Sequence, residues 1–75
     1  MAVLVLECLG QACPVPVIEL ARALKTVEIG QLIEVLSDDP AARHDIPAWC
    51  RMKEQEYVGA EPREVGAAYL VRRLS

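Results

Sequence analysis

Three cysteines, Cys8, Cys13 and Cys50, are the side chains of this 75-residue chain best suited to covalent chemistry. A thiol is nucleophilic only as thiolate, and a helix N-terminus favours that charge through its dipole and its free N–H groups. Cys13 opens the run Cys13-Pro14-Val15-Pro16, and a helical apolar pattern begins just beyond it. Proline suits the first helical position, since its missing N–H would have been an orphan and its fixed φ starts the helix at once. Pro16, two residues further on, occupies the place of the second cysteine in a CxxC pair. In such a pair the second thiol attacks sulfur bound to the first and closes a disulfide, so with Pro16 there, sulfur on Cys13 would wait for a partner's thiol. Gly10 supplies a tight turn that would let a partner's loop come close. The same residues also fit a plain helix start in which Cys13 is a small packed side chain. Local reasoning leaves both readings open.

The other candidates have ordinary explanations. Cys8 falls on the inward side of a strand, and Cys50 joins Ile46 and Trp49 in an apolar helical stripe, so both are expected in the core. An odd number of cysteines at irregular spacing is not a secreted disulfide framework, and with one histidine, His44, and no CxxC pair there is no zinc-binding pattern. Asp38 and Asp39 precede Pro40 as turn residues, and Asp45 reads as a helix N-cap, so no metal or other cofactor is expected. His44 is assigned to a turn between helices, outside the site. Arg22, Lys25, Arg51 and Lys53 are interspersed with Glu19, Glu54 and Glu56, as on solvated helix faces.

The elements that must position Cys13 follow from periodicity. Residues 2–8 alternate, with Leu4, Leu6 and Cys8 on one side and Val3, Val5 and Glu7 on the other, which predicts a half-buried strand. Val17, Leu20, Ala21 and Leu24 recur at helical spacing opposite Glu19, Arg22 and Lys25, with Gly30 as the stop. Residues 31–37 predict a second strand with Ile33 and Val35 inward. Pro47 argues for a break near His44 and a helix over 46–55 capped by Asp45. Two strands, about 57–61 and 67–74, meet at a turn around Pro62 and Gly66. The order β-α-β-α-β-β predicts an α+β fold, a two-layer α/β sandwich with two helices packed on one face of a four-stranded mixed sheet.

Composition narrows the function. A net charge of −3, a pI near 5.0 and three aromatic residues give little with which to hold phosphate backbones or stack bases, so direct nucleic-acid binding is not expected. Apolar runs are too short to span a bilayer, and no basic lead precedes a long hydrophobic segment, so membrane insertion is not expected and the chain reads as cytoplasmic.

The context of the motif resembles a known family. Leu9-Gly10-Gln11-Ala12-Cys13-Pro14-Val15-Pro16-Val17 is similar to the signature of the TusA/SirA-type sulfur carriers, in the same place after the first strand. The blocks Ser37-Asp38-Asp39-Pro40, Asp45-Ile46-Pro47-Ala48-Trp49-Cys50 and Tyr69-Leu70-Val71-Arg72-Arg73 resemble that family in residues and order. The resemblance implies one sulfur-carrier domain over residues 1–75 and a sulfurtransferase that holds a persulfide on Cys13, with Gly10, Pro14 and Pro16 supporting it. Its implied partners are a cysteine desulfurase or rhodanese-type donor and an acceptor protein of a sulfur relay, in tRNA thiolation, molybdenum cofactor synthesis or sulfur oxidation. The rival readings are a non-catalytic regulatory module and a thiol-redox module pairing Cys13 with Cys8 or Cys50.

Overall fold

The structure, a computed structural model, describes residues 3–12 and 14–75. Its elements are β1 (Leu4–Glu7), α1 (Val15–Leu24), β2 (Leu32–Ser37), α2 (Ala42–Lys53), β3 (Glu56–Pro62) and β4 (Ala67–Arg72). The strands form one sheet in the order β1-β2-β4-β3, with β1 parallel to β2 and the other two pairings antiparallel. This is the expected α+β sandwich with a mixed sheet. Alternation within each strand decides which face carries the helices. Register aligns Leu4 with Ile33, Ile33 with Val71, Leu6 with Val35, and Val35 with Tyr69, which makes one apolar face across β1, β2 and β4. Ile33, Val35 and Val71 on that face are fully buried against Leu20 of α1 and Ile46 of α2, in one core with Trp49, Cys8 and Cys50. Glu34 and Val5, one residue out of phase, face the other way.

Three expectations for the helices differ. The break at His44 does not occur: α2 runs unbroken through Pro47, and Asp45 lies in its first turn instead of capping it. Asp39 bonds ahead of the helix start, its Oδ1 accepting the N–H of Ala41 at 2.9 Å. Pro47 cannot donate to the carbonyl of Arg43, a loss of about 3 kcal/mol in a helix interior. The helix continues because Ala42 and Ile46 before the proline and Trp49 and Cys50 after it form one buried stripe, and each large side chain so buried contributes about 1.5–3 kcal/mol. Its end comes at Lys53, two residues early, where Glu54 takes a left-handed conformation and Gln55 N–H bonds the carbonyl of Cys50 at 2.8 Å.

The second difference is the stop of α1. The helix ends at Leu24, well before Gly30. Lys25 and Thr26 N–H meet the carbonyls of Arg22 and Ala23, and from far along the chain the Arg73 guanidinium donates to the carbonyl oxygens of Leu24, at 3.2 Å, and of Val27 in the segment beyond the helix, at 2.6 Å. A cation at a helix C-terminus is also favoured by the dipole. Gly30 instead donates its N–H to the carbonyl of Arg73 at 2.7 Å. The third is the stripe of α1 itself, which is turned so that Pro16, Leu20 and Ala23 are buried, with Val17, Ala21 and Leu24 at its margins.

The β3–β4 turn closes as expected around Pro62 and Gly66, with Arg63 N–H bonded to the carbonyl of Gly66 at 3.1 Å. Gly66 has φ +70, and a Cβ there would run into the backbone of Ser37 and Asp38. Gly66→Ala therefore carries both left-handed strain and a collision with backbone, and should lower unfolding stability by more than about 2 kcal/mol. Urea denaturation measures it, and an unchanged midpoint would contradict the close approach.

Candidate functional site

The loop between β1 and α1 carries the motif. Cys8 extends the parallel ladder by one bond, its N–H to the carbonyl of Leu36 at 2.8 Å, and its side chain is buried. The chain then leaves the sheet. Gln11 N–H returns to the carbonyl of Cys8 at 3.2 Å, a turn for which Gly10 supplies a φ of +78. Among the described residues, its two chain neighbours aside, no atom stands within 4 Å of where a Cβ on Gly10 would be, so the glycine serves the turn's conformation.

Pro14 stands at the N-cap of α1, one residue earlier than expected, and Pro16 at the second helical position. The carbonyl of Pro14 accepts the first helical bond, from Ile18 N–H at 2.9 Å, and Val15 N–H bonds the carbonyl of Ala12 at 3.0 Å. Both prolines therefore fall where an N–H would have no helical acceptor. Pro16 also has a packing role that the sequence did not signal: it is among the fully buried side chains. The candidate nucleophile Cys13 lies outside the described residues, between Ala12 and Pro14.

Two hollows adjoin the motif. One, of about 280 Å³, lies between the helices and is lined by Pro14, Val17, Asp45, Ala48, Trp49 and Met52. The other, of about 300 Å³, is lined by Gly10, Gln11, Ala12, Asp38 and Asp39. The sequence blocks around Asp38 and Asp45, far from the motif in the chain, thus both border it in space. Asp38, read from sequence as turn chemistry, accepts the N–H of Gly10 through Oδ1 at 3.0 Å. A turn aspartate that bonds across 28 residues leaves no local pattern, so periodicity could not find it. His44, exposed on α2, lines neither hollow.

The two described cysteines are alike. Cys8 and Cys50 are free thiols with 2% and 1% exposure. Burial, together with the negative charge of Glu19, raises the thiol of Cys8 above its ordinary 9.0. Burial alone pushes Cys50 up to about 11. Neither is available as a thiolate near neutral pH. Among the described residues no group of three His, Cys, Asp or Glu side chains is placed to hold a metal ion, and no helix is long and apolar enough to cross a membrane.

Comparison with known proteins agrees with this arrangement of strand, motif loop and helix. The family model described as Sulfurtransferase TusA matches residues 4–73. A protein of Archaeoglobus fulgidus named "Putative sulfur carrier protein" is 40% identical over 68 residues, covering 91% of this chain and 88% of that one. The crystal structure of a SirA-like protein from Desulfitobacterium hafniense superposes with a TM-score of 0.77 over 95% of each chain at 24% identity, a likeness of fold. The match along nearly the whole chain, with the motif loop, the paired aspartates and the unbroken α2 in sequence, makes this chain a member of the TusA sulfurtransferase family, the sulfur carriers.

Proposed function

We propose that the protein is a stoichiometric sulfur carrier that holds sulfane sulfur as a persulfide on Cys13. One observation carries the reading: the two described cysteines are buried and held protonated, so thiol chemistry in a member of a sulfurtransferase family falls to Cys13 at the entry to α1. The thiolate of Cys13 attacks the terminal sulfur of a donor persulfide. A sulfur–sulfur bond forms to Cys13 as the donor's breaks, and the donor leaves as thiolate. In the second exchange an acceptor thiolate attacks the terminal sulfur on Cys13, which returns to thiolate, so sulfane sulfur moves with no net oxidation. Pro14 and Pro16 support this by starting α1 immediately after the cysteine and by keeping a second thiol from the CxxC position.

The donor is a protein persulfide and the acceptor a protein thiol. A cysteine desulfurase or rhodanese-type protein as donor, and a relay protein of tRNA thiolation, molybdenum cofactor synthesis or sulfur oxidation as acceptor, belong to this proposal, as does a cytoplasmic location suited to free thiols. A redox module pairing Cys13 with Cys8 or Cys50 is less well supported, because burial keeps both of those thiols protonated.

Incubation with a cysteine desulfurase and cysteine should add the mass of one sulfur atom to the intact protein, and Cys13→Ser should abolish the adduct. An undiminished adduct in that variant would overturn the assignment. Alkylation by iodoacetamide at pH 7 should modify one cysteine rapidly, with Cys8 and Cys50 protected until the protein unfolds; peptide mapping reads this, and rapid labelling of Cys50 would contradict its burial. The raised thiols also give a pH dependence. Their folded values exceed the unfolded 9.0, so their contribution to stability is complete below pH 9 and falls as pH rises above it, that of Cys50 being lost as pH passes through about 11. Urea midpoints should fall across that interval, and by less in Cys50→Ala measured against its own value at pH 8.

A further inference from the structure

Among the described residues one side chain holds the motif loop from outside itself. Within residues 8–12 the backbone bonds run to the ladder and the local turn, whereas Asp38 reaches across from the β2–α2 junction to the N–H of Gly10. Both groups are exposed, so the bond adds little to stability, yet it fixes the loop leading to Cys13 relative to α2. Asp38 is itself well anchored. Ser37 beside it is buried, and its Oγ accepts the N–H of Asp39 at 3.2 Å. Ala42 N–H bonds the carbonyl of Asp39 at 3.1 Å. From the other side Gly66 lies so close to Asp38 Cα that no Cβ fits between them. The β3–β4 turn, the β2–α2 junction and the motif loop are therefore joined in series through Gly66, Asp38 and Gly10.

We propose that Asp38 is a positioning residue for sulfur transfer: by holding Gly10 it sets where the loop delivers Cys13 to a partner's sulfur. This rests on the carrier reading above. The working feature is the acceptor oxygen, and the negative charge is incidental to it. In-line attack of one sulfur on another tolerates little displacement, and misplacement by about 1 Å can cost on the order of 100-fold in rate.

The test compares D38N, which keeps a carbonyl acceptor and removes the charge, with D38A, which removes both. Two readouts separate this inference from the carrier reading. The first is hydrogen exchange of the Gly10 amide together with the pH profile of Cys13 alkylation by iodoacetamide, neither of which needs sulfur transfer. The second is the initial rate of sulfur uptake from glutathione persulfide, read by intact mass. D38A should exchange the Gly10 amide at least tenfold faster than D38N, displace the alkylation profile relative to D38N, and take up sulfur at least tenfold more slowly, with its urea midpoint unchanged. D38N should stay within threefold of the parent protein in exchange and uptake. Equal behaviour of D38A and D38N in exchange and alkylation overturns the positioning role, as does equal uptake by the two. A parent protein that takes up no sulfur overturns the carrier reading instead, and the exchange and alkylation results still decide the tether.

Discussion

The structure depends on a single apolar face. Ile33, Val35 and Val71 lie in register across the two central strands, wholly out of contact with water, and both helices exist to cover them. A sheet of four strands offers two faces, and a chain of this length has helices enough for one. The uncovered side is managed by charge: Arg63 reaches Glu61 at 3.2 Å and lies 3.9 Å from Glu34, and Arg72 pairs with Glu56 at 3.0 Å. These are exposed to half-buried pairs of small energetic weight. Their effect is to keep charge on a side where Val5 would otherwise invite association.

That division explains why the two described cysteines are unreactive. Cys8 and Cys50 complete the covered face and are chemically quiet for the same reason that they stabilise it: a thiol without water resists ionisation. Reactivity in so small a protein has to lie at an edge of the core. The loop from β1 to α1 is such an edge, passing from the buried Cys8 to the buried Pro16 with Leu9, Gly10, Gln11, Ala12, Pro14 and Val15 exposed between them.

Much of this was legible in the sequence because it follows from period. Alternation in 2–8 and 31–37 gave the strands and their inward residues, and Pro14 marked the helix start to within one residue. The readings that failed were local rules overridden from a distance. Pro47 normally breaks a helix, but the stripe of Ala42, Ile46, Trp49 and Cys50 on both sides of it outweighs one lost bond. Gly30 normally stops one, yet α1 ends at Leu24, whose carbonyl is taken by Arg73, 49 residues beyond. Asp38 was correctly a turn residue and still concealed a bond to Gly10 that only the folded chain reveals. The resemblance around Cys13 placed the chain in its family, while nothing in composition or periodicity distinguishes a persulfide carrier from any other thiol at a helix start.

The position of β1 has a consequence of its own. It is four residues long, sits at the margin of the sheet, and is paired on one side only, in the parallel sense. Such a strand belongs to the low end of a protein's range of local opening free energies, below the central β2–β4 pair. The motif loop is its direct continuation. A partner that needs the motif loop to yield by a few ångströms would thus be asking it of a part of the molecule that opens at low cost, while the core beneath stays shut.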